Sequence, residues 1–266
     1  MMPKLSVTIV TYNEGQNIRR TLESVKWVDQ IVVVDSGSTD DTIRICEEFG
    51  TLVIQEGRIG VAKVKNLAIE KASGEWILSL DADEPIELAL AEEIREIISS
   101  PASLDGYRIP RRTYFMGKLI KHGGWYPDYN LRLFRKDKGR FVERAVHEAV
   151  KVQGSVGMTK HAIDHYAYPD IALFMAKMHS YSSLAVKVMQ EKGISSYQAS
   201  SFNIVFRPVF TFLYKYFFRL GFLDGKHGLI INLLHSYYVF AKYAKAWEYK
   251  IRVKGQGSRG QGTEPK

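Results

Sequence analysis

The first hundred residues alternate short β-branched runs with helical stretches, and that alternation admits few folds. Residues 5–10 read as a strand, followed by a polar turn and a helical stretch to about Lys26. Residues 31–34, Ile-Val-Val-Val, form a second apolar run, too short for a buried helix. The run Ser38, Thr39, Asp40, Asp41 then offers caps for a helix reaching about Phe49, with Ser38 and Asp40 as the two candidates. Residues 51–55 give a third strand, 60–71 a third helix and 76–80 a fourth strand, after which Pro85 opens a helix through Ile98. Strands and helices in this rhythm predict an α/β fold with a mostly parallel sheet covered on both faces.

The pattern then changes. Residues 107–109, 131–134 and 149–152 are short alternating runs, expected as strands of a mixed extension, and from about Pro169 the signal is helical. The expected organisation is one α/β domain over 1–168, a helical region over 169–250 and a flexible Gly-rich tail over 251–266. Residues 202–222 are strongly apolar and aromatic, yet Arg207, Pro208, Lys215 and Arg219 interrupt them. A spanning helix needs about twenty largely uncharged apolar residues, so this stretch predicts an interfacial helix instead. Charge points the same way. The chain carries a net charge of +8, and from Phe202 to Lys254 nine Lys or Arg face only Asp224 and Glu248. A basic excess confined to an aromatic last quarter indicates an anionic membrane surface, not nucleic acid. The start, Met-Met-Pro-Lys-Leu-Ser-Val, has no long apolar stretch before the first strand, which reads as no secretory signal and a peripheral position on the cytoplasmic face of the inner membrane. Cys46 is the only cysteine, which excludes an internal disulfide and a thiolate metal cluster.

Candidate chemistry sits where strands end. Asp81-Ala82-Asp83 follows the strand Trp-Ile-Leu-Ser-Leu, and open parallel sheets bind ligands beyond the carboxyl ends of their strands. Two carboxylates one residue apart suit a hard divalent cation, Mg or Mn, together with the phosphates it bridges. Asp35 ends the second strand, where it could accept from a ribose hydroxyl or a base N–H, and Gly37 permits close backbone approach. Thr11, Tyr12, Asn13 and Glu14 follow the first strand and offer a face on which a base could stack. No Gly-rich dinucleotide fingerprint and no phosphate loop occurs, so phosphates at this edge would be held through a metal.

Together these residues resemble the family 2 glycosyltransferases, whose nucleotide-binding domain has the GT-A fold. The resemblance rests on Thr-Tyr-Asn-Glu at 11–14, Val-Asp-Ser-Gly-Ser-Thr-Asp at 34–40, Lys65-Asn66, and Leu-Asp-Ala-Asp-Glu at 80–84. Where the family commonly has Arg-Asn, this chain has Lys65, which keeps the charge without the bidentate fork. Residues 123–128, 132–134 and 146–148, with Gly-Phe-Leu-Asp-Gly at 221–225 and Gly228, are similar to bacterial lipopolysaccharide core glucosyltransferases. The resemblance implies transfer of a hexose, glucose foremost, with inversion from a UDP-sugar to a lipopolysaccharide core or other lipid-linked glycan.

It also assigns roles. Asp83, assisted by Asp81, would hold the cation, and a late histidine, His165 or else His161, would join them. Lys65, Asn66 and Arg132 would face the donor, with Arg132 near a phosphate. Asp128 is the first candidate for the base that deprotonates the acceptor hydroxyl, and Glu148, beside His147, is the second. Trp125, Tyr126 and His147 would meet the acceptor, although core packing accounts equally well for the two aromatic residues. Two other readings compete. A sugar nucleotidyltransferase would want a Gly-rich loop near the first strand, where only Gly15 stands. A non-catalytic nucleotide-sugar-binding scaffold fits poorly with the retention of Asp81, Asp83, Asp128 and Glu148.

Overall fold

The computed structural model describes residues 4–57, 60–142, 149–194 and 198–259. They form two compact units: Met1–Leu119 with Trp125–Ala167, and Ile120–Gly124 with Tyr168–Lys266.

The first unit is built on a sheet whose centre is β1 (Leu5–Thr11), with β2 (Gln30–Asp35) and β3 (Leu52–Gln55) on one side and β4 (Trp76–Asp81) on the other. These four strands run parallel. Antiparallel strands extend the β4 side: β5 (Gly106–Phe115), β6 (Lys118–Leu119) and β7 (Asp128–Arg135), with β7 between β4 and β5. Strands β8 (Gly139–Val142) and β9 (Ala149–Val152) pair separately, while β10 (Val156–Met158) and β11 (Ile163–Tyr168) join β5. The result is mixed α/β with a mostly parallel centre, as the sequence predicts.

Period-two alternation divides the core between the two faces of the sheet. Val7, Ile9, Val33, Leu78 and Leu80 pack on one side with α1 (Ile18–Ser24), α2 (Thr42–Glu48) and α4 (Leu88–Ser99). Val32, Val34, Ile77 and Phe134 pack on the other with α3 (Val61–Lys71). Both faces are therefore covered, and the polar work is left to the carboxyl edge. There Thr11 stands opposite Asp35, and Val10 opposite Asp81.

The helix expected from Pro85 begins instead at Leu88. The backbone of residues 83–86 is extended because it has a strand partner: Tyr166 N–H donates to Asp83 C=O, Asp164 N–H to Pro85 C=O, and Ile86 bridges Ile163. Of the two capping candidates, Asp40 meets the start of α2. Ser38 donates to Asp35, whereas Asp40 accepts from the Thr42 N–H in the first turn of α2.

The second unit is helical: α5 (Ile171–Glu191), α6 (Ser201–Leu213), a π-helical turn (Tyr214–Phe218), a 3-10 turn (Gly221–Asp224) and α7 (Gly225–Arg259). Side-chain caps start the first two helices, with Asp170 accepting from Leu173 N–H and Ser200 from Asn203 N–H. Helix α7 packs against both α5 and α6 and continues to Arg259, past residue 251 where the sequence suggests a flexible tail. The Gly-Phe-Leu-Asp-Gly motif earns its glycines by close approach. A Cβ at Gly228 would lie 2.0 Å from the Gly221 carbonyl oxygen, and one at Gly221 would lie 2.5 Å from Asn232 Nδ2. Its aspartate, Asp224, accepts from the backbone N–H groups of Lys121 and His122. Among the described residues no helix is long and apolar enough to cross a membrane.

Glu93 on α4 accepts from the backbone N–H groups of Lys160 and His161, at 2.8 and 2.9 Å, and pairs with the His161 imidazole. Burial would raise its pKa, but these bonds outweigh burial and hold it below the usual range. A lowered folded pKa stabilises the fold above the unfolded value of about 4.3, and the benefit fades as pH falls through the folded value. Replacing Glu93 by Gln should therefore flatten the acid limb of a stability-versus-pH curve measured by urea unfolding; a limb as steep as the parent's would refute this role.

Candidate active site

One edge of the first unit carries a chain of alternating charges. Lys65 Nζ donates to Asp81 Oδ1 at 2.9 Å, and Arg132 Nη2 donates to Asp81 Oδ2 at 2.7 Å. The same Arg132 nitrogen lies 2.6 Å from Glu84 Oε1, which also accepts from Arg111 Nη1 at 3.3 Å. Arg111 in turn grips Asp128 Oδ2 through Nη2 at 2.7 Å and Nε at 3.1 Å. Three cations and three carboxylates thus alternate from α3 to the start of β7.

Local structure explains each member. Lys65 lies on the core-facing stripe of α3, with Ala62, Ala68 and Ile69, so its ammonium is driven inward. Arg132 and Asp128 share one face of β7 by period-two alternation, and Asp128 stands directly opposite Arg111 on β5. Glu84 is fully buried, and its Oε2 accepts from the Asp81 N–H, closing the turn after β4. Burial would raise the Asp81 pKa, but Arg132 and Lys65 hold it well below the usual carboxylate range. Arg111 and Arg132 are held in the charged form, the carboxylates beside them outweighing the cost of burial.

Beside this network, Asp83 Oδ2 and His165 Nε2 stand 3.5 Å apart. The pairing of residues 83–86 with β11 brings them together. Two donors bound to one cation at roughly 2.1 Å stand about 3.0–3.4 Å apart, so this pair fits a shared divalent ion. Among the described residues no group of three or more His, Cys, Asp and Glu is arranged as a ready-made metal cluster.

Other residues singled out by sequence take different places. Both Asp81 oxygens are engaged by cations, so its carboxylate orders Lys65 and Arg132. Asp35 is fully buried; Oδ2 accepts from the Gly37 and Ser38 N–H groups and Oδ1 from the Ser38 hydroxyl. Its acceptors serve its own turn, in which Gly37 has φ +88°. Asn66 makes a two-way bond with the Phe141 backbone and ties α3 to β8. His161 lies on the surface against Glu93. Thr11 is buried, and Tyr12 is exposed at the sheet edge. Asn13 and Glu14 stitch the loop after β1 to the loop after β2: Asn13 Oδ1 accepts from Thr39 N–H, and Glu14 N–H donates to Thr42 Oγ1. Ala82 is buried and its C=O accepts from the Thr21 hydroxyl. Trp125 and Tyr126 are half-buried just before β7. His147 and Glu148 lie outside the described residues.

Residues 6–164 match the family model "Glycosyl transferase family 2". The chain belongs to that family. Over 93% of its length the transferase is 30% identical to the lipopolysaccharide core biosynthesis glycosyltransferase LpsC of Rhizobium meliloti, of which 94% is covered. An uncharacterized glycosyltransferase of Rickettsia felis is also 30% identical, over 98% of this chain and 96% of its own. In fold, the transferase is similar to the mannosyltransferase PcManGT of Pyrobaculum calidifontis, solved with GDP-Man and Mn2+. That match has a TM-score of 0.53 and 15% identity, and covers 92% of this chain and 87% of that one. Membership sets aside the nucleotidyltransferase and scaffold readings.

Two residues of the network, Glu84 and Arg111, had no assigned role in the sequence. A lone acid within Asp-Ala-Asp-Glu can be read as turn or site, and the pairing of β5 with β7 that aligns Arg111 with Asp128 leaves no local signal. Because Glu84 is fully buried between two arginines, replacing it by Gln should cost about 3–5 kcal/mol in urea unfolding. Arg140→Gln, which removes an exposed pair with Glu70, should leave stability nearly unchanged. Asn66→Ala should cost about 1–3 kcal/mol by stranding the Phe141 backbone groups.

Proposed function

We propose that the transferase is a metal-dependent, inverting hexosyltransferase. It moves a sugar, glucose foremost, from a UDP-sugar to a lipopolysaccharide core or other lipid-linked glycan, working peripherally at the cytoplasmic face of the membrane. The observation that carries this reading is the Asp83–His165 pair, together with a carboxylate, Asp128, clamped by an arginine. The resemblance of the chain to LpsC supports the acceptor class.

A divalent cation, Mg or Mn, held by Asp83 and His165 would stabilise negative charge on the leaving diphosphate. The chain's own residues do the rest. Arg111 holds Oδ2 of Asp128 through two bonds, and Oδ1 takes no hydrogen bond from the described residues. Asp128 is nearly half exposed, so an acceptor hydroxyl can reach it. As the hydroxyl oxygen bonds to the anomeric carbon, its proton passes to Asp128, and the bond from that carbon to the diphosphate oxygen breaks on the opposite face. Tyr12, exposed after β1, offers a face for the base, and Trp125 and Tyr126 offer one for the acceptor sugar.

Purified protein incubated with radiolabelled UDP-hexoses and Mg or Mn should slowly hydrolyse one donor even without acceptor, and lose that activity in chelator. Asp83→Ala should abolish donor turnover and His165→Ala should weaken its metal dependence; unchanged turnover in both removes the metal assignment. Asp128→Asn should lower transfer by roughly 10²–10⁴-fold, with donor KM little altered. Full transfer by Asp128→Asn together with its loss in Glu148→Gln would move the base to Glu148.

A further inference from the structure

The second unit leaves a long apolar face open. On α6 the side chains of Phe202, Val205, Phe206, Val209, Phe210 and Leu213 are all exposed, Phe210 at 68%. They recur at steps of three and four, which places them along one side of the helix. The π-helical turn prolongs the face with Phe217 and with Phe218 at 78% exposure. Water-exposed aromatic surface of this extent marks a contact site.

Charge selects the occupant. Between Phe202 and Leu223 the chain carries Arg207, Lys215 and Arg219 and no acidic residue. Helix α7 adds Lys242, whose ammonium lies 4.7 Å from the centre of the Tyr243 ring, with the Arg207 guanidinium 5.5 Å from the same centre. Burial and the like charge of Arg207 push Lys242 down, and burial with Arg219 pushes Lys215 down to about 8. A second copy would bring the same three cations and no acidic residue from this segment to pair with them. Anionic headgroups would relieve the crowding while acyl chains cover the rings. The helix is too short to span, so it would lie in the plane of the surface.

We propose that α6 is the membrane-docking element of this transferase, lying in the interface of an anionic bilayer with its phenylalanine face among the acyl chains. This rests on the reading of the acceptor as lipid-linked, and gives that acceptor's surface a specific place on the chain.

Flotation of the full chain with vesicles tests it without any sugar donor, so its outcome is independent of the transfer reaction. The chain should float with phosphatidylglycerol-containing vesicles, poorly with phosphatidylcholine alone, and less at high salt. Phe206→Ser with Phe210→Ser should cut partitioning by roughly tenfold or more, while circular dichroism and donor hydrolysis stay as in the parent. In a second variant, Phe210→Cys carries a polarity-sensitive dye; Cys46 is buried, its thiol pushed up to about 12, and should not compete for label. The dye should shift to the blue on anionic vesicles. Failure of the parent to float, equal flotation of the double variant, or no dye shift would each overturn the proposal. So would a dimer in light scattering that the double variant splits, which would give the face to a second copy.

Discussion

A buried carboxylate between two arginines governs the architecture of the charged edge of the first unit. Glu84 is fully enclosed, and an ionised acid there persists only because Arg132 and Arg111 reach it from β7 and β5. Through Arg132 it fixes Asp81 and hence Lys65; through Arg111 it fixes Asp128. The ladder spans α3, the turn after β4, β5 and β7, so residues far apart in sequence share one electrostatic balance. Removing any rung exposes its neighbours to uncompensated burial.

That balance also redistributes roles among acids that look equivalent in sequence. Asp81 and Asp83 are one residue apart, yet the first is saturated by cations and the second faces a histidine. Asp35 and Asp128 both terminate or begin strands at the carboxyl edge, yet Asp35 is spent on its own turn while Asp128 is half exposed and oriented. The difference lies in partners, which strand pairing supplies and residue type does not.

The parallel half of the fold was legible because each element announces itself locally: β-branched runs at β1, β2 and β4, and apolar spacing on α3 and α4. Family membership was legible in the motifs at those strand ends. What stayed hidden depends on pairing between distant segments. Nothing near Pro85 indicates that β11 holds residues 83–86 extended, so α4 starts three residues later than the local signal predicts. Arg111 carries no local sign of its role, which depends on its register with Asp128. Asn66 sat in a recognised motif, but its bond to the Phe141 backbone depends on where β8 lies. A lysine on the apolar stripe of α3 was the one local clue to the ladder, since a buried ammonium demands a carboxylate.

The antiparallel pairing that sets His165 beside Asp83 has a consequence for synthesis. The two side chains are joined only when β11 has docked onto the stretch that follows β4, and β11 is among the last strands of its unit to leave the ribosome. Contacts of such sequence separation form late, because the intervening chain must be closed first. A nascent chain halted before Ile163 would display both aspartates of its motif and lack the imidazole, so the Asp83–His165 pair is absent until the sheet is complete.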